Sequence, residues 1–281
     1  MQIIHHTLDL RTQVKKWHMA GETVCLVPTM GNLHEGHLSL VDRAKQLADH
    51  VVATIFVNPM QFIQGEDFDT YPRTLEQDSM ALFERGASTL FAPGVEEVYP
   101  AGLEHHTEIS VPSMDGFLCG ASRPGHFNGV ATVVSKLFNL VQPDTAIFGQ
   151  KDYQQLLVIK RMVDDLCIPI DIVSLATVRE DDGLALSSRN GYLSESDRIK
   201  APVIYQQLQS IAEQLKKGNR NFADLESVGK KNLKEQNFDP EYLSIRRQAD
   251  LTLPEASDTD FVVLLAARLG TTRLIDNIIL S

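Results

Sequence analysis

Residues 28–37, PTMGNLHEGH, hold the side chains best suited to chemistry on a phosphate group. His34 and His37 are three residues apart at the start of a predicted helix, so both imidazoles can face one ligand. Histidine donates hydrogen bonds to phosphate oxygens and brings positive charge to a transition state. Gly36 lets a flat base or a ribose approach the backbone. Because the segment follows a strand and opens a helix, its backbone N–H groups and the helix dipole favour an anion there.

Two well-known motifs with similar letters do not fit this segment. Gly31 and Gly36 have the spacing of a P-loop, but His37 and Leu38 stand where that motif has Lys and Ser or Thr. The order H-E-G-H also fails the zinc-protease pattern, in which the second histidine follows the first by four residues. The plainer interpretation is a helix N-terminus with incidental polar residues. A pair of histidines flanking a glycine directly after a strand favours function over that interpretation.

Strands and helices alternate along the first part of the chain. Apolar runs predict strands, and apolar residues at helical spacing predict helices. The alternation predicts a parallel sheet of right-handed βαβ units, which binds ligands at the carboxyl ends of its strands. The predicted strands cover residues 23–29, 50–57, 88–92, 145–148 and 170–178, and the predicted helices cover 36–49, 76–85, 130–141 and 156–166.

The chain changes character after Arg189, where the helices become more polar and the strands shorter. We therefore predict an α/β fold with two domains: a Rossmann-like parallel sheet domain over 1–185 and a smaller α+β C-terminal domain over 186–281. The elements predicted for the second domain are helices over 204–215 and 224–236 and strands over 242–246 and 260–267.

The composition limits the compartment and the partners. The chain has 281 residues, and 26 Lys plus Arg against 37 Asp plus Glu give a formal net charge of −11. Such a surface repels polyanions, so we expect neither nucleic acid nor a membrane as a partner. The N-terminal residues lack the pattern of a signal peptide. Cys25, Cys119 and Cys167 are far apart and odd in number, which predicts buried free thiols in a reducing cytosol.

Five sequence blocks resemble the pantothenate synthetase family, the pantoate–β-alanine ligases of the HxGH nucleotidyltransferase-like superfamily. The blocks follow one another across about the first two-thirds of the chain, and the last third holds no motif of comparable specificity. This chain departs from the family pattern at Gln150, where Glu is more common, and at Leu186, where Met is more common. The blocks are residues 28–37 PTMGNLHEGH, 56–62 FVNPMQF, 71–74 YPRT, 148–155 FGQKDYQQ and 179–190 REDDGLALSSRN.

The resemblance implies a ligase that works in two steps. The carboxylate of pantoate attacks the α-phosphate of ATP, which gives pantoyl adenylate and pyrophosphate. The amine of β-alanine then attacks the acyl adenylate and releases AMP and pantothenate. The implied partners are therefore ATP, pantoate and β-alanine, with Mg²⁺ accompanying the ATP. The resemblance further implies a homodimer, and the cysteine content favours a cytoplasmic location. The position of residues 187–189 at the predicted domain boundary suggests that the smaller domain closes over ATP as a lid.

Residue by residue, the resemblance implies a nucleotide site rich in donors and cations. Adenylyl transfer needs charge stabilisation on the phosphates more than it needs a nucleophilic side chain. The implied catalytic residues are accordingly His34, His37, Lys151 and Arg189. Without the family blocks, Lys151 would be read as a solvated loop lysine. The implied ATP-binding residues are Met30, Gly31, Asn32, Leu33, His34, Glu35, Gly36, His37, Gly149, Gln150, Lys151, Asp152, Val178, Leu186, Ser187, Ser188 and Arg189.

For pantoate and β-alanine, the resemblance implies binding by Asn58, Gln61 and Gln155. Neutral amides both donate and accept, so they can hold a hydroxy acid without locking its carboxylate in an ion pair. Outside the family context each would be read as a turn residue. Asp152 could hold ribose hydroxyls or Mg²⁺, or simply cap the following helix. No dedicated protein metal site is predicted. Residues expected to border the site are Tyr71 and Arg123.

Other functions remain open on the sequence alone. A nucleotidyltransferase of the same fold would share the H-x-G-H segment but would adenylylate a phosphate, and it would not need the NPMQF or KDYQQ letters. A non-catalytic nucleotide-binding module would bind ATP without forming AMP. A nucleic-acid binder would need a basic stripe, and the pairs Lys230–Lys231 and Arg246–Arg247 are too small for one.

Overall fold

A computed structural model of the chain describes residues 1–280. They fold into two compact units, and the division between them falls after Ala176. The domain limits given above stay a prediction. The first unit comprises Met1–Gln150 and Gln155–Ala176, and the second comprises Lys151–Gln154 and the chain from Thr177 onward.

Parallel strands form the sheet of the first unit. They are β1 (Gln2–Ile4), β2 (Val24–Thr29), β3 (His50–Ile55), β4 (Thr89–Phe91), β5 (Thr145–Gly149) and β6 (Asp171–Leu175). The helices are α1 (Thr7–Ala20), α2 (Glu35–Ala44), α3 (Leu75–Arg85), α4 (Val95–Val98), α5 (Leu118–Ser122), α6 (His126–Val141) and α7 (Tyr153–Asp165). Residues 24–27 of β2 are inaccessible to solvent, as expected for a central parallel strand covered on both faces.

The strand order reverses next to β2. The order across the sheet is β1-β4-β3-β2-β5-β6, so β3 and β4 extend to one side of β2 while β5 and β6 extend to the other. The carboxyl ends of β2 and β5 therefore meet at a topological switch point, where open α/β sheets bind their ligands. The chain leaves β2 into residues 30–34 and leaves β5 at Gly149, so this edge carries the predicted nucleotide residues of the first unit.

The second unit contains an antiparallel sheet packed against helices. Its core is formed by leucine, isoleucine and valine side chains such as Leu208, Ile211, Leu243, Val263 and Leu265. Its elements are α8 (Glu195–Lys200), α9 (Val203–Lys216), α10 (Phe222–Glu235), β7 (Phe238–Arg247), β8 (Phe261–Leu269) and β9 (Thr272–Leu280), with the strands in the order β7-β8-β9.

The predicted fold class is confirmed, whereas several element limits were wrong. The strand predicted over 170–178 ends at Leu175, so Val178 lies in the connection that follows it. The helix predicted over 36–49 ends at Ala44, beyond which the chain turns before β3. The helix predicted from 130 begins at His126. The prediction also missed β1, α1 and β9, although Leu10, Val14 and Trp17 of α1 are buried at helical spacing.

The cysteine prediction was right for two residues and wrong for one. Cys25 and Cys119 are buried free thiols, but Cys167 is exposed in the turn after α7. Burial raises the pKa of the Cys25 thiol to about 12, with a further contribution from Asp144, so Cys25 stays protonated at neutral pH. None of the described helices is long and apolar enough to cross a membrane.

Candidate active site

The β2–α2 loop holds its two histidines against each other. His34 is the N-cap of α2, and its Nδ1 accepts a hydrogen bond of 3.1 Å from the Gly36 N–H. The His34 N–H in turn lies 3.4 Å from Nδ1 of His37. The two rings are 4.1 Å apart at an angle of 34°. Since both Nδ1 atoms accept from the backbone, the neutral rings carry their protons on Nε2 and present N–H donors.

The backbone of the same loop is tied to a residue that the sequence did not single out. Gly31 and Asn32 both have positive φ, of 84° and 50°. The N–H groups of Asn32 and Leu33 donate to the carboxylate of Asp78 on α3, at 2.9 and 2.8 Å. In this structure those two amides therefore hold a protein carboxylate, whereas the sequence predicted that amides of this segment would hold the ligand anion.

Asn58 precedes a short 3-10 turn after β3, Pro59–Gln61, and Gln61 is the last residue of that turn. Asn58 is only 1% exposed, and its side chain is used internally. Its Nδ2 donates to the Gly129 carbonyl at 3.1 Å and to Gln61 Oε1 at 3.3 Å, while its Oδ1 accepts from the Tyr99 hydroxyl at 2.8 Å. Gln61 Nε2 lies 2.8 Å from Met30 Sδ, so the turn lies beside the β2–α2 loop. The structure thus groups Met30, Asn58 and Gln61, with Asn58 supporting the Gln61 amide.

Gly129 on α6 permits this turn to lie against the helix. A Cβ at Gly129 would collide with the carbonyl group of Met60 and would lie 2.8 Å from the Gln61 nitrogen. Only a residue without a side chain fits there. Gly129 was not among the predicted site residues, because a glycine inside a helical pattern gives no sign of what it lies against.

A largely shielded charge cluster contacts the main-chain carbonyl of Gln61. Arg123 forms a two-pronged ion pair with Glu66, with N–O distances of 2.5 and 2.7 Å. His126 lies 2.8 Å from Arg123 Nη1 through Nε2, and its Nδ1 lies 2.6 Å from the Gln61 carbonyl oxygen. Burial opposes ionisation of Glu66, but the hydrogen bonds and charge of Arg123 outweigh it and lower the pKa of this carboxyl. Arg123, predicted to border the site, is thus engaged by protein groups, and Glu66 and His126 were missed.

Three further predicted residues lie near the end of β5. Gly149 ends the strand, and the Gln150 amide donates to the Ser174 hydroxyl on β6 at 3.2 Å. Gln155 lies in the first turn of α7 and is half-buried. Gln150, which departs from the family's more common Glu, therefore fits here through a neutral hydrogen bond.

The second unit groups the remaining predicted ATP-binding residues on two segments. Lys151 Nζ is 3.7 Å from Asp152 Oδ2, and the Lys151 carbonyl accepts from Asn277 at 2.9 Å. Separately, the Leu186 N–H donates to the Val178 carbonyl at 3.0 Å, which closes residues 178–186 into a hairpin.

The hairpin leads into the loop that carries Ser188 and Arg189. The Ser187 hydroxyl accepts from the Arg189 N–H at 3.3 Å and caps a short 3-10 helix, Ser188–Tyr192. Arg179 anchors the hairpin by a bidentate pair with Asp276 at 2.6 and 2.9 Å. Burial raises the pKa of the Asp276 carboxyl, against the opposing effect of Arg179. The structure thus brings together Val178, Leu186 and residues 187–189, and their role in nucleotide binding stays a prediction.

The described residues contain no group of three or more His, Cys, Asp or Glu side chains that could hold a metal ion. Of the carboxylates in the predicted ATP-binding set, Glu35 is paired with Arg85 at 2.6 Å. Asp152 is half-exposed beside Lys151. A cation at this site would therefore depend on oxygen ligands supplied by a substrate.

Comparison with known proteins places these features in one family. The family model described as pantoate-beta-alanine ligase matches residues 2–279. Pantothenate synthetase of Shewanella halifaxensis (strain HAW-EB4) is 56% identical over 269 residues, covering 96% of this chain and 95% of the relative. Pantothenate synthetase of Pseudomonas fluorescens (strain Pf0-1) is 55% identical over 281 residues, covering 100% of this chain and 98% of the relative.

Solved structures agree with the sequence matches. Pantothenate synthetase from Thermus thermophilus superimposes with a TM-score of 0.92 at 46% identity and covers 99% of both chains. Pantoate-beta-alanine ligase from Francisella tularensis, complexed with beta-gamma ATP and beta-alanine, has a TM-score of 0.81 at 33% identity and covers 99% of this chain and 97% of its own. The chain therefore belongs to the pantoate–β-alanine ligase family.

Proposed function

We propose that this chain condenses (R)-pantoate with β-alanine at the expense of ATP, giving pantothenate, AMP and pyrophosphate through a pantoyl adenylate. The observation that carries this function is the pair of adjacent histidines that follows the carboxyl end of β2, each with its Nδ1 bound to the backbone. Family membership and the Francisella relative, which was solved with an ATP compound and β-alanine, support the same reaction.

In the first step, a carboxylate oxygen of pantoate forms a bond to the α-phosphorus of ATP, and the bond to the bridging oxygen of pyrophosphate breaks. We assign His34 and His37 as Nε2–H donors to the phosphate oxygens, where negative charge develops. Lys151 and Arg189 supply the fixed positive charge that the departing pyrophosphate requires. We assign nucleotide binding to residues 30–37, 149–152 and 186–189 together with Val178.

In the second step, the neutral amine of β-alanine attacks the acyl carbon of pantoyl adenylate. The C–O bond to AMP breaks, and the nitrogen loses a proton as the amide forms. We assign Gln61 and Gln155 to hold pantoate and its adenylate, because neutral amides bind hydroxyl and carboxylate groups without neutralising the nucleophile. Asn58, predicted as a direct contact, acts in this proposal through its 3.3 Å hydrogen bond to Gln61.

We propose that Mg²⁺ is bound mainly by the triphosphate of ATP, with Asp152 as the candidate protein ligand. A magnesium ion keeps several oxygen ligands from water or phosphate and typically takes one or two carboxylates from the protein. When bound, it would offset the negative charge of the phosphate oxygens. Chelation by EDTA should abolish AMP formation, and added Mg²⁺ should restore it.

We further propose a cytoplasmic homodimer. The family resemblance supports the dimer, and the three free cysteines of the described chain suit a reducing compartment. Light scattering on the purified chain should give twice the mass of 31.3 kDa. Cell fractionation should place the protein with cytoplasmic markers.

The reaction is tested with purified protein, ATP, Mg²⁺, pantoate and β-alanine. The full mixture should produce AMP, pyrophosphate and pantothenate in equal amounts, and omission of pantoate should stop pyrophosphate release. Pantoate and ATP without β-alanine should give no more than one pyrophosphate per site. Release of ADP, or AMP formation that does not depend on pantoate, would disprove the function. Transfer of AMP to a phosphate acceptor would favour a nucleotidyltransferase instead.

A further inference from the structure

Asp78 is a buried carboxylate that has no part in the reaction described above. It lies in the first turn of α3 and is only 4% exposed. A buried acidic side chain is costly unless hydrogen bonds satisfy its charge. Its partners therefore indicate why the fold keeps it.

Asp78 uses both carboxylate oxygens to bind the β2–α2 loop. Oδ1 accepts from the Leu33 N–H at 2.8 Å, and Oδ2 accepts from the Asn32 N–H at 2.9 Å. The Thr74 hydroxyl also donates to Oδ2, at 3.1 Å. The N-terminal end of α3 further favours a negative charge at this position.

The loop conformation depends on an anion at this place. Gly31 and Asn32 both adopt positive φ, which for Asn32 is an uncommon and mildly unfavourable conformation. Such a turn directs successive N–H groups towards one point, a geometry that binds anions. A Cβ at Gly31 would lie 3.1 Å from Asp78 Oδ2 and 3.0 Å from Ile55 Cγ2, so the carboxylate and the loop are in close contact.

The residues that follow are the two histidines. Leu33 immediately precedes His34, the N-cap of α2, so the bond that holds the Leu33 amide also restrains the first residue of the helix entry. Displacement of Asn32 and Leu33 would rotate His34 out of its bond to Gly36 and would separate its ring from that of His37.

We infer that Asp78 is a positioning residue for adenylate formation: its carboxylate takes the place of an anion in the β2–α2 loop and so fixes both histidines for the phosphates of ATP. The expected effect of Asp78 on catalysis rests on the proposed function, whereas its restraint of the β2–α2 loop does not. The carboxylate contacts the loop backbone and reaches the substrate only through it.

The test compares Asp78→Asn with Glu76→Gln. Asparagine has nearly the same shape, but its NH₂ group cannot accept from a backbone N–H. Glu76 is an exposed carboxylate in the same helical turn, so its replacement removes the same charge near α3 without touching the loop. Thr74→Val is the second variant. It removes one hydrogen-bond donor to Asp78. It does not remove a capping interaction from α3, because the Thr74 side chain makes no capping hydrogen bond.

Amide hydrogen exchange and kinetics are measured on the intact chain. In Asp78→Asn, exchange at Asn32 and Leu33 should accelerate roughly tenfold to a hundredfold, as expected for loss of a hydrogen bond to a buried charge. The kcat/KM for ATP in pyrophosphate release should fall by a similar factor, while the KM for β-alanine should stay within about twofold. Thr74→Val should show the same pattern more weakly, and Glu76→Gln should match the wild type.

Two outcomes would overturn the inference. Faster amide exchange across the whole first unit, with an equal fall in kcat/KM for every substrate, would show that Asp78 stabilises the fold as a whole and not the loop in particular. Unchanged exchange at Asn32 and Leu33 would show that the carboxylate does not hold the loop. A wild-type protein without pantoate-dependent activity would refute the proposed function alone, because the exchange measurement needs no substrate.

Discussion

At the residue scale, the histidine pair is set by its hydrogen bonds to the backbone. Nδ1 of His34 accepts from Gly36, and Nδ1 of His37 faces the His34 N–H, so each Nε2 keeps its proton over the pH range in which the rings are neutral. A donor is what a phosphate oxygen gaining negative charge requires. This tautomer suits adenylyl transfer, whereas a general base would need an unprotonated Nε2.

His37→Ala should therefore lower kcat far more than stability. Loss of one donor to a developing oxyanion costs about 10²- to 10³-fold in rate. The contacts described for the His37 ring include a long hydrogen bond of 3.4 Å and the neighbouring ring of His34, so the melting temperature should change far less than the rate. The exposed His18 on α1 provides the control, because His18→Ala should leave both quantities unchanged. A fall in melting temperature that parallels the fall in activity would indicate a structural histidine.

At the scale of elements, the Pro59–Gln61 turn is held against the first turn of α6. Gly129 allows the close approach, and His126, three residues earlier in the same helix, binds the Gln61 carbonyl. The Gln61 side chain is then fixed by Asn58 and lies beside Met30. Backbone packing thus positions Gln61, the residue proposed to bind pantoate. A displacement of about 1 Å in such a residue can lower the catalytic rate substantially.

Gly129→Ala tests this placement. The added methyl group would meet the Met60 carbonyl, so the turn must move away from α6 and carry Gln61 with it. The KM for pantoate should rise about tenfold or more, which corresponds to roughly 1.4 kcal/mol of lost binding, while the KM for ATP should change much less. Gly116→Ala is the control, because a Cβ at Gly116 meets no atom within 4 Å. Equal effects on both substrates would contradict the prediction.

How far the sequence predicts these elements depends on the distance over which each interaction acts. The alternation of apolar runs correctly gave the parallel sheet, and the H-x-G-H letters gave the histidine pair at the start of α2. Asp78 could not be found in this way, since it lies 46 residues from Asn32 in the chain and nothing in either segment specifies the pairing. Gly129 and Glu66 were missed for the same reason, since their partners are also distant in sequence.

Other misses were avoidable. Leu10, Val14 and Trp17 are spaced by four and three residues, which is a helical pattern that predicts α1. The strand predicted to reach residue 178 was extended too far, because the apolar letters after Leu175 belong to the connection that carries Val178 to its partner Leu186. Short-range pattern thus located the elements, and long-range packing decided where some of them end.

At the scale of the whole molecule, the net charge of −11 does not show how individual charged side chains are paired. Each unit holds an ion pair that is largely shielded from water, Glu66 with Arg123 in the first and Asp276 with Arg179 in the second. The predicted phosphate-binding groups are the local exceptions to the acidic surface. Breaking a shielded pair leaves the partner charge unsatisfied, so these pairs should dominate the effect of single charge substitutions on stability.

Glu66→Gln tests this at the level of global unfolding. Because Arg123 lowers the pKa of Glu66 below its ordinary value of 4.5, the ionised carboxylate stabilises the folded state above that value. This contribution is lost as the pH falls through the lower, folded-state pKa. Glu66→Gln should therefore lower the free energy of unfolding at pH 7 by about 2–4 kcal/mol, somewhat less than the roughly 3–5 kcal/mol for breaking a fully buried pair, because both side chains keep a small exposure to water.

The difference between Glu66→Gln and the wild type should then shrink as the pH falls below 4.5, since protonated glutamic acid and glutamine are alike in charge. Urea denaturation at a series of pH values between 7 and 3 measures both free energies. Other carboxyls contribute equally to the two proteins and cancel in the difference. Glu84→Gln, which removes an exposed carboxylate from α3, is the control and should leave the free energy of unfolding at pH 7 close to the wild-type value. A Glu66→Gln difference that stays constant with pH would show that the side chain stabilises the fold by packing, because the charge of Glu66 changes in this range and its packing does not.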